Sequence, residues 1–320
     1  MKKNALAILL SSLFALTALL NGCNNNSSSS PALSKEDSLK QLIDRGKYLA
    51  YSVVNCVDCH SQFDIKKFSL PILPGTEGGG GLALHEILPD EIPGKIYVPN
   101  ITPAGLKDWS DEEIARAMTK GINKKGDTLF PMMPYHGLSR MAKEDVEAVI
   151  AFIRTLKPIE NTIPARQLFV PAAVFGPLPD NDYKNNTRPD SSDKIKYGEY
   201  MVTIAHCTDC HTPLTKGGAP DMSKFLSGGQ HFKLPLFAVT VANITPDSAT
   251  GIGSWTEEMF LAKFRTNVSP ENLKTEPGKF NTAMPWSFYG TMTDHDLKAI
   301  YAYLRTIPPM NNKIVKWEGQ

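Results

Sequence analysis

The chain lacks most of the features that would place it in several large functional classes. Its net charge is close to zero, with 34 Lys and Arg against 33 Asp and Glu in 320 residues. It therefore has no excess of basic residues of the kind that nucleic-acid binding requires. Strand-like alternation of polar and apolar residues is nowhere sustained, so we expect a mainly helical fold. The longest apolar run, residues 5–20, is shorter than the ~20 residues of a membrane span.

Cysteine is also scarce, and its placement is informative. Four of the five cysteines lie in two copies of one pentapeptide, CVDCH at 56–60 and CTDCH at 207–211. The fifth is Cys23. No thiol pair remains for a structural disulfide, so none is predicted.

The repeated pentapeptide is the attachment signature of c-type haem. Two thiols at this spacing add to the two vinyl groups of one porphyrin, and the next residue is then held under the ring, where its imidazole coordinates the iron. CxxC alone would also fit a redox dithiol or half of a zinc site, but two copies that both end in CH favour haem. The predicted cofactors are two covalently bound haem c groups. The predicted thioether residues are Cys56, Cys59, Cys207 and Cys210, and the predicted proximal ligands are His60 and His211.

The N-terminus has the pattern of an export signal. Two lysines in residues 1–4 precede the apolar run 5–20, and the sequence up to Cys23 resembles the lipobox of bacterial lipoproteins. We predict a signal peptide over 1–22, lipidation of Cys23 and a disordered tether over 23–40. The protein would then be exported and held on a bacterial membrane, facing the periplasm. A cleaved signal that leaves an unpaired cysteine and an uncleaved anchor are the alternatives.

The rest of the chain is an internal repeat. Residues of the second pentapeptide lie 151 positions after those of the first, and the same offset relates Met133-Pro134 to Met284-Pro285. We call 41–157 the first repeat and 194–310 the second repeat, and we predict one domain over 41–157 and another over 194–320. The segment 158–193 between them contains six prolines and is predicted to be an extended connector whose apolar residues at 168–170 and 174–175 lie against a domain.

Local patterns predict helices at matching places in the repeats. Ser110 with Glu113 has the spacing of a capping box, Thr256 is a predicted N-cap, and Thr293 with Asp296 forms a second capping pair. The last helix of each repeat is predicted over 143–156 and 294–305. The four glycines at 78–81 follow no strand and precede no P-loop lysine, so they are interpreted as a flexible surface loop.

The sixth iron ligand is predicted to be methionine. Met133 and Met284 are related by the repeat offset, each is followed by proline, and thioether sulfur suits the iron of electron-transfer haems. Met132 competes locally with Met133, and the alternative for all of them is that they fill gaps in the core. The remaining histidines are not repeated and are predicted to be structural or exposed: His85, His136, His206, His231 and His295. The repeated residues Trp109, Trp255, Asn100 and Asn243 either contact the porphyrin or anchor a loop.

Each repeat resembles a class I cytochrome c domain. More narrowly, the second repeat is similar to the multihaem cytochrome c subunits of bacterial membrane-bound alcohol, aldehyde and nicotinate-type dehydrogenases, through NITPD at 243–247, GIGSW at 251–255, AMPW at 283–286 and YAYLR at 301–305. The first repeat lacks the Gly-Ile-Gly element before Trp109. The resemblance implies an all-α fold of two tandem class I cytochrome c-like domains, with His60 and His211 as proximal ligands and Met133 and Met284 as distal ligands.

Two six-coordinate irons would leave no open site for a substrate, so the predicted function is electron transfer and not catalysis. The expected role is that of a dihaem carrier of single electrons from a periplasmic-side dehydrogenase to another cytochrome or a terminal oxidase. A dihaem peroxidase is the competing enzyme, and a haem-based redox sensor or interaction module is the third possibility.

Overall fold

The computed structural model describes residues 34–216 and 218–317, without the side chains of residues 172–173. The predicted signal peptide, Cys23 and most of the predicted tether lie outside the described residues. Of the compact unit 1–39, the structure describes 34–39, where Ser34 accepts a hydrogen bond from the Asp37 amide at 3.0 Å and caps the first helix. Residues 40–317 belong to a second compact unit.

The described residues are mainly helical. The first helix, α1, leads into a π-helical turn at Leu49–Val53. The α-helices in chain order are α1 (Lys35–Tyr48), α2 (Cys56–Cys59), α3 (Leu84–Ile87), α4 (Asp111–Lys120), α5 (Tyr135–Leu138), α6 (Lys143–Ile153), α7 (Lys194–Ile204), α8 (Cys207–His211), α9 (Glu257–Asn267), α10 (Pro270–Leu273), α11 (Trp286–Tyr289) and α12 (Asp294–Leu304). None of the helices in these described ranges is long and apolar enough to cross a bilayer.

Within the described part of the chain, the strands form two short antiparallel pairs. The strand β1 (Gly94–Lys95) pairs with β2 (Gln167–Leu168), and β3 (His231–Lys233) pairs with β4 (Ala238–Thr240). Single turns of 3₁₀-helix occur at Ala172–Phe175, Tyr183–Asn185, Met222–Lys224 and Gly278–Phe280. The prediction of a mainly helical fold is confirmed.

In both repeats the first helix crosses the last helix at a glycine. A Cβ atom at Gly46 would overlap the carbonyl of Ala148 in α6, and a Cβ atom at Gly198 would overlap the carbonyl of Ala299 in α12. Any larger residue would therefore push the two helices apart. Ala148 and Ala299 are 151 positions apart, but the two glycines are 152 apart. The π-helical turn contains the extra residue, because such a turn is a one-residue expansion of an α-helix.

The predicted caps are present, with one difference. Ser110 and Glu113 form a complete capping box at the start of α4, and the Thr256 side chain accepts from the Met259 amide at the start of α9. Thr293 caps α12 by accepting from the Asp296 amide. The Asp296 carboxylate, however, accepts from two tyrosine hydroxyls instead of the backbone at the cap.

The glycine run is not the surface loop that the sequence suggested. Gly78, Gly79 and Gly80 are buried, and a Cβ atom at Gly80 would collide with the backbone of Pro99. The run is rich in glycine because another segment of backbone lies directly against it. In the segment 158–193, Phe175 packs edge-on against Phe130 at 5.2 Å, whereas Phe169 and Val174 are exposed, so only part of its apolar sequence is covered.

Candidate functional site

The two pentapeptides have the same local conformation. Each begins a short helix directly after a residue in the left-handed region, Asn55 with φ 56° and His206 with φ 57°. These two residues are related by the 151 offset. The chain therefore turns sharply at the end of the first helix of each repeat and then presents its two cysteines and its histidine.

Both pentapeptide histidines are fixed through the same ring nitrogen. Nδ1 of His60 lies 2.8 Å from the carbonyl oxygen of Pro99, and Nδ1 of His211 lies 2.8 Å from that of Ala242. A carbonyl only accepts, so Nδ1 carries the proton and Nε2 keeps a free lone pair for a metal. Burial lowers the pKa of both imidazoles, which favours the neutral form that a ligand needs.

Glycine lets the supporting backbone approach each histidine closely. The Gly80 amide donates to the His60 carbonyl at 2.8 Å, and the Gly228 amide donates to the His211 carbonyl at 2.7 Å. Both glycines have positive φ, and a Cβ atom at Gly228 would collide with Ala242, as one at Gly80 would with Pro99. In each repeat, the glycine therefore packs against the backbone carbonyl that orients the histidine ring.

The repeated asparagines anchor loops. The Asn100 side chain accepts from the Thr102 amide at 2.9 Å and donates to the Ile159 carbonyl at 2.7 Å. Asn243 accepts from the Thr245 amide at 2.9 Å and donates to the Met310 carbonyl at 2.7 Å. The alternative that these residues hold a loop in place is the one that their contacts support.

The two Met-Pro pairs form matching turns. The amide of the residue after the proline donates to the methionine carbonyl at 2.8 Å in both repeats, and Pro134 (φ −81°, ψ 47°) and Pro285 (φ −78°, ψ 68°) have inverse γ-turn conformations. Met133 and Met284 are half-buried against the core, whereas Met132 is 40% exposed. A short helix, α5 or α11, follows each turn.

The second cysteines of the two pentapeptides lie close together. Burial raises the pKa of the Cys59 thiol, and the Asp58 carboxyl and the thiols of Cys56 and Cys210 raise it further. Cys59 and Cys210 are nevertheless exposed. The second cysteines of the two attachment sites therefore lie within electrostatic range of each other, one in each repeat.

Tyr289 of α11 lies near both attachment sites. Its hydroxyl donates to the Ala205 carbonyl at 2.5 Å. Burial raises the pKa of this phenol, and acidic groups of both pentapeptides raise it further, among them Cys207 and Cys59. Its counterpart in the first repeat is Leu138, which is also buried. One phenol therefore lies within electrostatic range of both attachment sites.

The unrepeated histidines are dispersed. His206 is largely buried beside the second pentapeptide, with 11% of its side chain exposed. His136 is exposed against the Tyr135 ring, and His295 lies 3.2 Å from Asp296. His85 contacts the Ile96 carbonyl and His231 lies on β3. The repeated tryptophans are half-buried. The backbone carbonyl of Trp109 accepts a hydrogen bond from Arg154, and that of Trp255 accepts one from the Tyr301 hydroxyl.

Sequence analysis missed a reciprocal pair of contacts between the repeats. Tyr48 donates to Asp296 at 2.5 Å, and Tyr200 donates to Asp145 at 2.6 Å, so each repeat supplies a hydroxyl to a buried carboxylate of the other. The two aspartates are related by the 151 offset and the two tyrosines by 152. The recurrence of both residue types at almost the same offset is the sequence feature from which these contacts could have been predicted.

Taken together, these residues fit covalently attached haem. Each repeat offers a pair of free thiols, an imidazole with an available Nε2, a close backbone contact that only glycine allows and a half-buried thioether. Comparison with known proteins agrees, since residues 195–308 match the cytochrome c family. The second repeat is a cytochrome c domain. In this cytochrome c domain, α8 carries the attachment site, and α7 packs against both α8 and α12.

Known relatives extend the similarity over most of the chain. The chain is 31% identical over 301 residues to the cytochrome c subunit of an alcohol dehydrogenase (quinone) from Gluconacetobacter polyoxogenes, covering 86% of this chain and 58% of the relative. It is 30% identical over 283 residues to the fructose dehydrogenase cytochrome subunit of Gluconobacter japonicus, covering 83% and 52%. A diheme cytochrome c-type protein of Cereibacter sphaeroides is 25% identical over 262 residues, covering 79% and 82%. The chain thus spans little more than half the length of the two dehydrogenase subunits.

Proposed function

We propose that this chain is a dihaem c-type cytochrome that carries single electrons from a periplasmic-side dehydrogenase to a downstream cytochrome or terminal oxidase. Each repeat would be one class I cytochrome c domain, with 158–193 as the connector. The observation that carries the proposal is the pair of pentapeptides with matching histidine hydrogen bonds, in which Cys59 of one lies within electrostatic range of Cys210 of the other.

The roles of the residues follow from their contacts. The Pro99 and Ala242 carbonyls accept from Nδ1 of the two imidazoles, so that Nε2 of each histidine would serve as the proximal ligand. The turns at Met133 and Met284 hold a sulfur on a rigid loop for the distal position. Bound haem would supply one-electron redox chemistry, and with a histidine and a methionine of the chain holding each iron, no site would remain for a substrate.

The proposed partner follows from the relatives, and the proposed location follows from the N-terminal sequence. Relatives named as cytochrome subunits of alcohol and fructose dehydrogenases favour a dehydrogenase as electron donor. Redox partners meet through small, transient surfaces, so we expect a dissociable contact with the acceptor. The lipobox-like sequence before Cys23 favours a lipid anchor on the periplasmic side of a bacterial membrane.

Cofactor content tests the proposal directly. Protein produced in a host that matures c-type cytochromes should keep its pigment after acid extraction and denaturation, and its mass should exceed that of the processed chain by two haems. Replacing Cys207 and Cys210 with alanine should remove one haem and leave the other. Pigment that is lost on extraction, or a mass without haem, would refute the proposal.

The distal ligands have their own test. We expect Met284→Ala and Met133→Ala each to remove the sulfur-to-iron charge-transfer band of one haem and to lower its potential, because Met/His ligation raises it. Met132→Ala is the matched control and should leave the spectrum unchanged. One high-spin iron in the wild-type protein, or turnover of hydrogen peroxide, would favour a peroxidase instead.

Membrane attachment is tested at Cys23. Cys23→Ser should move the cytochrome from the membrane to the soluble periplasmic fraction without changing its haem content. A variant that remains in the membrane fraction would contradict the lipid anchor while leaving the electron-transfer role intact.

A further inference from the structure

A side chain of the first repeat holds the turn that carries Met284 in the second. The Ser69 hydroxyl donates to the Met284 carbonyl at 2.9 Å and accepts from the Trp286 amide at 2.7 Å. The same amide and carbonyl are the two ends of the inverse γ-turn and are joined to each other at 2.8 Å. Ser69 is only 2% exposed, so its two hydrogen bonds are shielded from solvent. Ser69 therefore closes this turn a second time, from the other repeat.

The residues around Ser69 extend the contact along the same loop. The Ser69 amide donates to the Asn281 side-chain oxygen at 3.0 Å, and the Asn281 side-chain nitrogen donates to the Lys67 carbonyl at 2.9 Å. The hydroxyl of the next residue, Thr282, accepts from the Met284 amide at 3.1 Å. Both Asn281 and Thr282 are buried. The segment before the methionine is thus fixed to the first repeat as well as the turn itself.

The backbone at Ser69 has a conformation that is rare outside glycine. Ser69 has φ 62° and Leu70 has φ 51°, both in the left-handed region. Such a conformation persists only where the surrounding contacts determine it. Here Leu70 and Ala283 pack against one small apolar cluster of the second repeat, formed by Leu234, Phe237 and Val239. The loop of Ser69 is therefore shaped by its fit to the other repeat.

The second repeat does not return this contact. Ser69 lies in the loop 64–71, which is closed by a bridge between Phe63 and Ile72. The corresponding bridge, between Leu214 and Pro220, closes the shorter loop 215–219, of five residues instead of eight. Among residues 34–216 and 218–317, no hydrogen bond joins this shorter loop to the turn of Met133.

The turn of Met133 is held from its own side of the molecule. The Met133 amide donates to the Phe130 carbonyl at 3.0 Å, and Arg166 donates to the Thr128 carbonyl at 2.5 Å. In the part of the chain that the structure describes, the hydrogen bonds of residues 128–134 all come from residues 41–193. The positions that correspond to Asn281 and Thr282 are occupied by phenylalanine and proline, which cannot form the same side-chain hydrogen bonds.

We propose that Ser69 is a positioning residue for the distal ligand of the second repeat, and that the first repeat thereby makes the Met284 sulfur the less easily displaced of the two distal ligands. This inference rests on the proposed dihaem function and on Met284 as a ligand. A sulfur leaves its iron when its turn moves, and movement of the Met284 turn breaks the hydrogen bonds to Ser69. Contacts that are lost in the displaced state favour the ligated one, in proportion to their free energy. Movement of the Met133 turn breaks no such bonds to the other repeat.

Competition by imidazole tests this difference in the ferric holoprotein. Imidazole that replaces a methionine removes the sulfur-to-iron charge-transfer band of that haem. In a Met133→Ala background the remaining band reports Met284, and in a Met284→Ala background it reports Met133. The Met284 band should need the higher imidazole concentration. Adding Ser69→Ala should lower the half-effective concentration for the Met284 band about five- to tenfold, the factor expected for a lost hydrogen bond, and should leave the Met133 band unchanged.

Two further variants separate the hydroxyl from other effects. Ser69→Gly removes the same hydroxyl but adopts a positive φ without strain, so it should reproduce the shift of Ser69→Ala even if the alanine variant folds poorly. Ser52→Ala is the matched control, because Ser52 is another buried serine of the first repeat whose hydroxyl lies 2.7 Å from that of Thr291 in the second. Thr291 is seven residues beyond Met284, so this variant should leave both bands unchanged.

Amide exchange gives a readout that does not depend on the haem spectrum. In the Ser69→Ala holoprotein, peptides over 281–289 should exchange faster than in wild type, and those over 130–138 should not. The inference is wrong if Ser69→Ala and Ser69→Gly leave the Met284 band and these peptides unchanged, or if Ser52→Ala shifts the band equally. A wild-type protein with fewer than two haems, or without a sulfur-to-iron band, would instead refute the proposed function.

Discussion

The two repeats place an aspartate at the same position of their last helix and satisfy it in different ways. Asp145 is fully buried and is held by two cations, with Arg45 donating through two nitrogens at 2.9 Å each and Arg188 at 3.0 Å, as well as by the Tyr200 hydroxyl. Asp296 is 4% exposed and has no arginine partner among the described residues.

At Asp296, hydroxyl groups replace the guanidinium groups. Tyr48 donates at 2.5 Å and Tyr197 at 3.0 Å, and the imidazole of His295 lies 3.2 Å away. Tyr197 is 152 positions after Arg45, so it occupies the corresponding position of the first helix. The same geometry is therefore maintained by an ion pair in one repeat and mainly by neutral donors in the other. The comparison shows that a buried carboxylate at this duplicated position requires hydrogen-bond donors, whereas the donors can be either charged or neutral.

Removal of the two carboxylates should separate these cases most clearly. Asp145→Ala leaves Arg45 partly buried without its partner, and such a change destabilises a protein by about 3–5 kcal/mol. Asp296→Ala removes the partner of two hydroxyl groups and of the His295 imidazole but leaves no arginine unpaired, so about 1–3 kcal/mol is expected. Urea unfolding of the two holoproteins measures the difference. Equal losses, or a larger loss for Asp296→Ala, would show that the arginines contribute little.

The residues before the two pentapeptides offer a comparison through pH. Burial lowers the pKa of His206 from 6.5 to about 4, so below pH 6.5 the unfolded chain takes up a proton that the folded protein does not. His206 therefore lowers stability progressively between pH 6.5 and about 4, by about 3 kcal/mol if the whole shift is expressed. His206→Asn, which copies Asn55 of the first repeat, should remove this dependence.

The measurement is the difference between the stability curves of His206→Asn and wild type. The difference is needed because other groups titrate in the same range. Burial raises the pKa of Asp58 to about 7 and of Asp209 to about 6, so protonation of these carboxyls stabilises the folded protein as the pH falls. Both contributions are present in the variant and in wild type, so their difference isolates His206. The variant should gain stability relative to wild type as the pH falls. A constant difference from pH 7 to 5 would contradict the assignment.

The smallest expected effect concerns the two tyrosines that join the repeats. Tyr48→Phe removes one of the two hydroxyl donors of Asp296, and we expect a loss of about 2 kcal/mol, typical of a hydrogen bond to a charged group. Tyr200→Phe leaves both arginines on Asp145, so about 1 kcal/mol is expected. Thermal unfolding of both variants gives the order. The reverse order would mean that Asp296 is compensated by another group.

Much of this arrangement could be predicted from local sequence. The pentapeptides, the Met-Pro pairs, the caps at Ser110 and Thr256 and the last helices are short patterns whose structure depends on adjacent residues. The contacts of Tyr48 with Asp296 and of Tyr200 with Asp145 join residues far apart in the chain, and no local pattern specifies them. The glycine run was misinterpreted for a related reason, because the backbone of Pro99 that requires it comes from a distant segment.

The π-helical turn at Leu49–Val53 has a consequence for how the duplicated copies diverged. One additional residue in a regular helix rotates everything beyond it by about 100°, which would turn Gly46 away from α6 or the cysteines of the first pentapeptide away from those of the second. The π-helical turn accommodates that rotation within five residues, so the helix crossing at Gly46 and the attachment site keep the same relative orientation as in the second repeat. The segment between Gly46 and Cys56 therefore tolerates a change in length at this turn. Deleting one residue from the turn would give the regular helix of the second repeat, with the helix crossing and the attachment site unchanged.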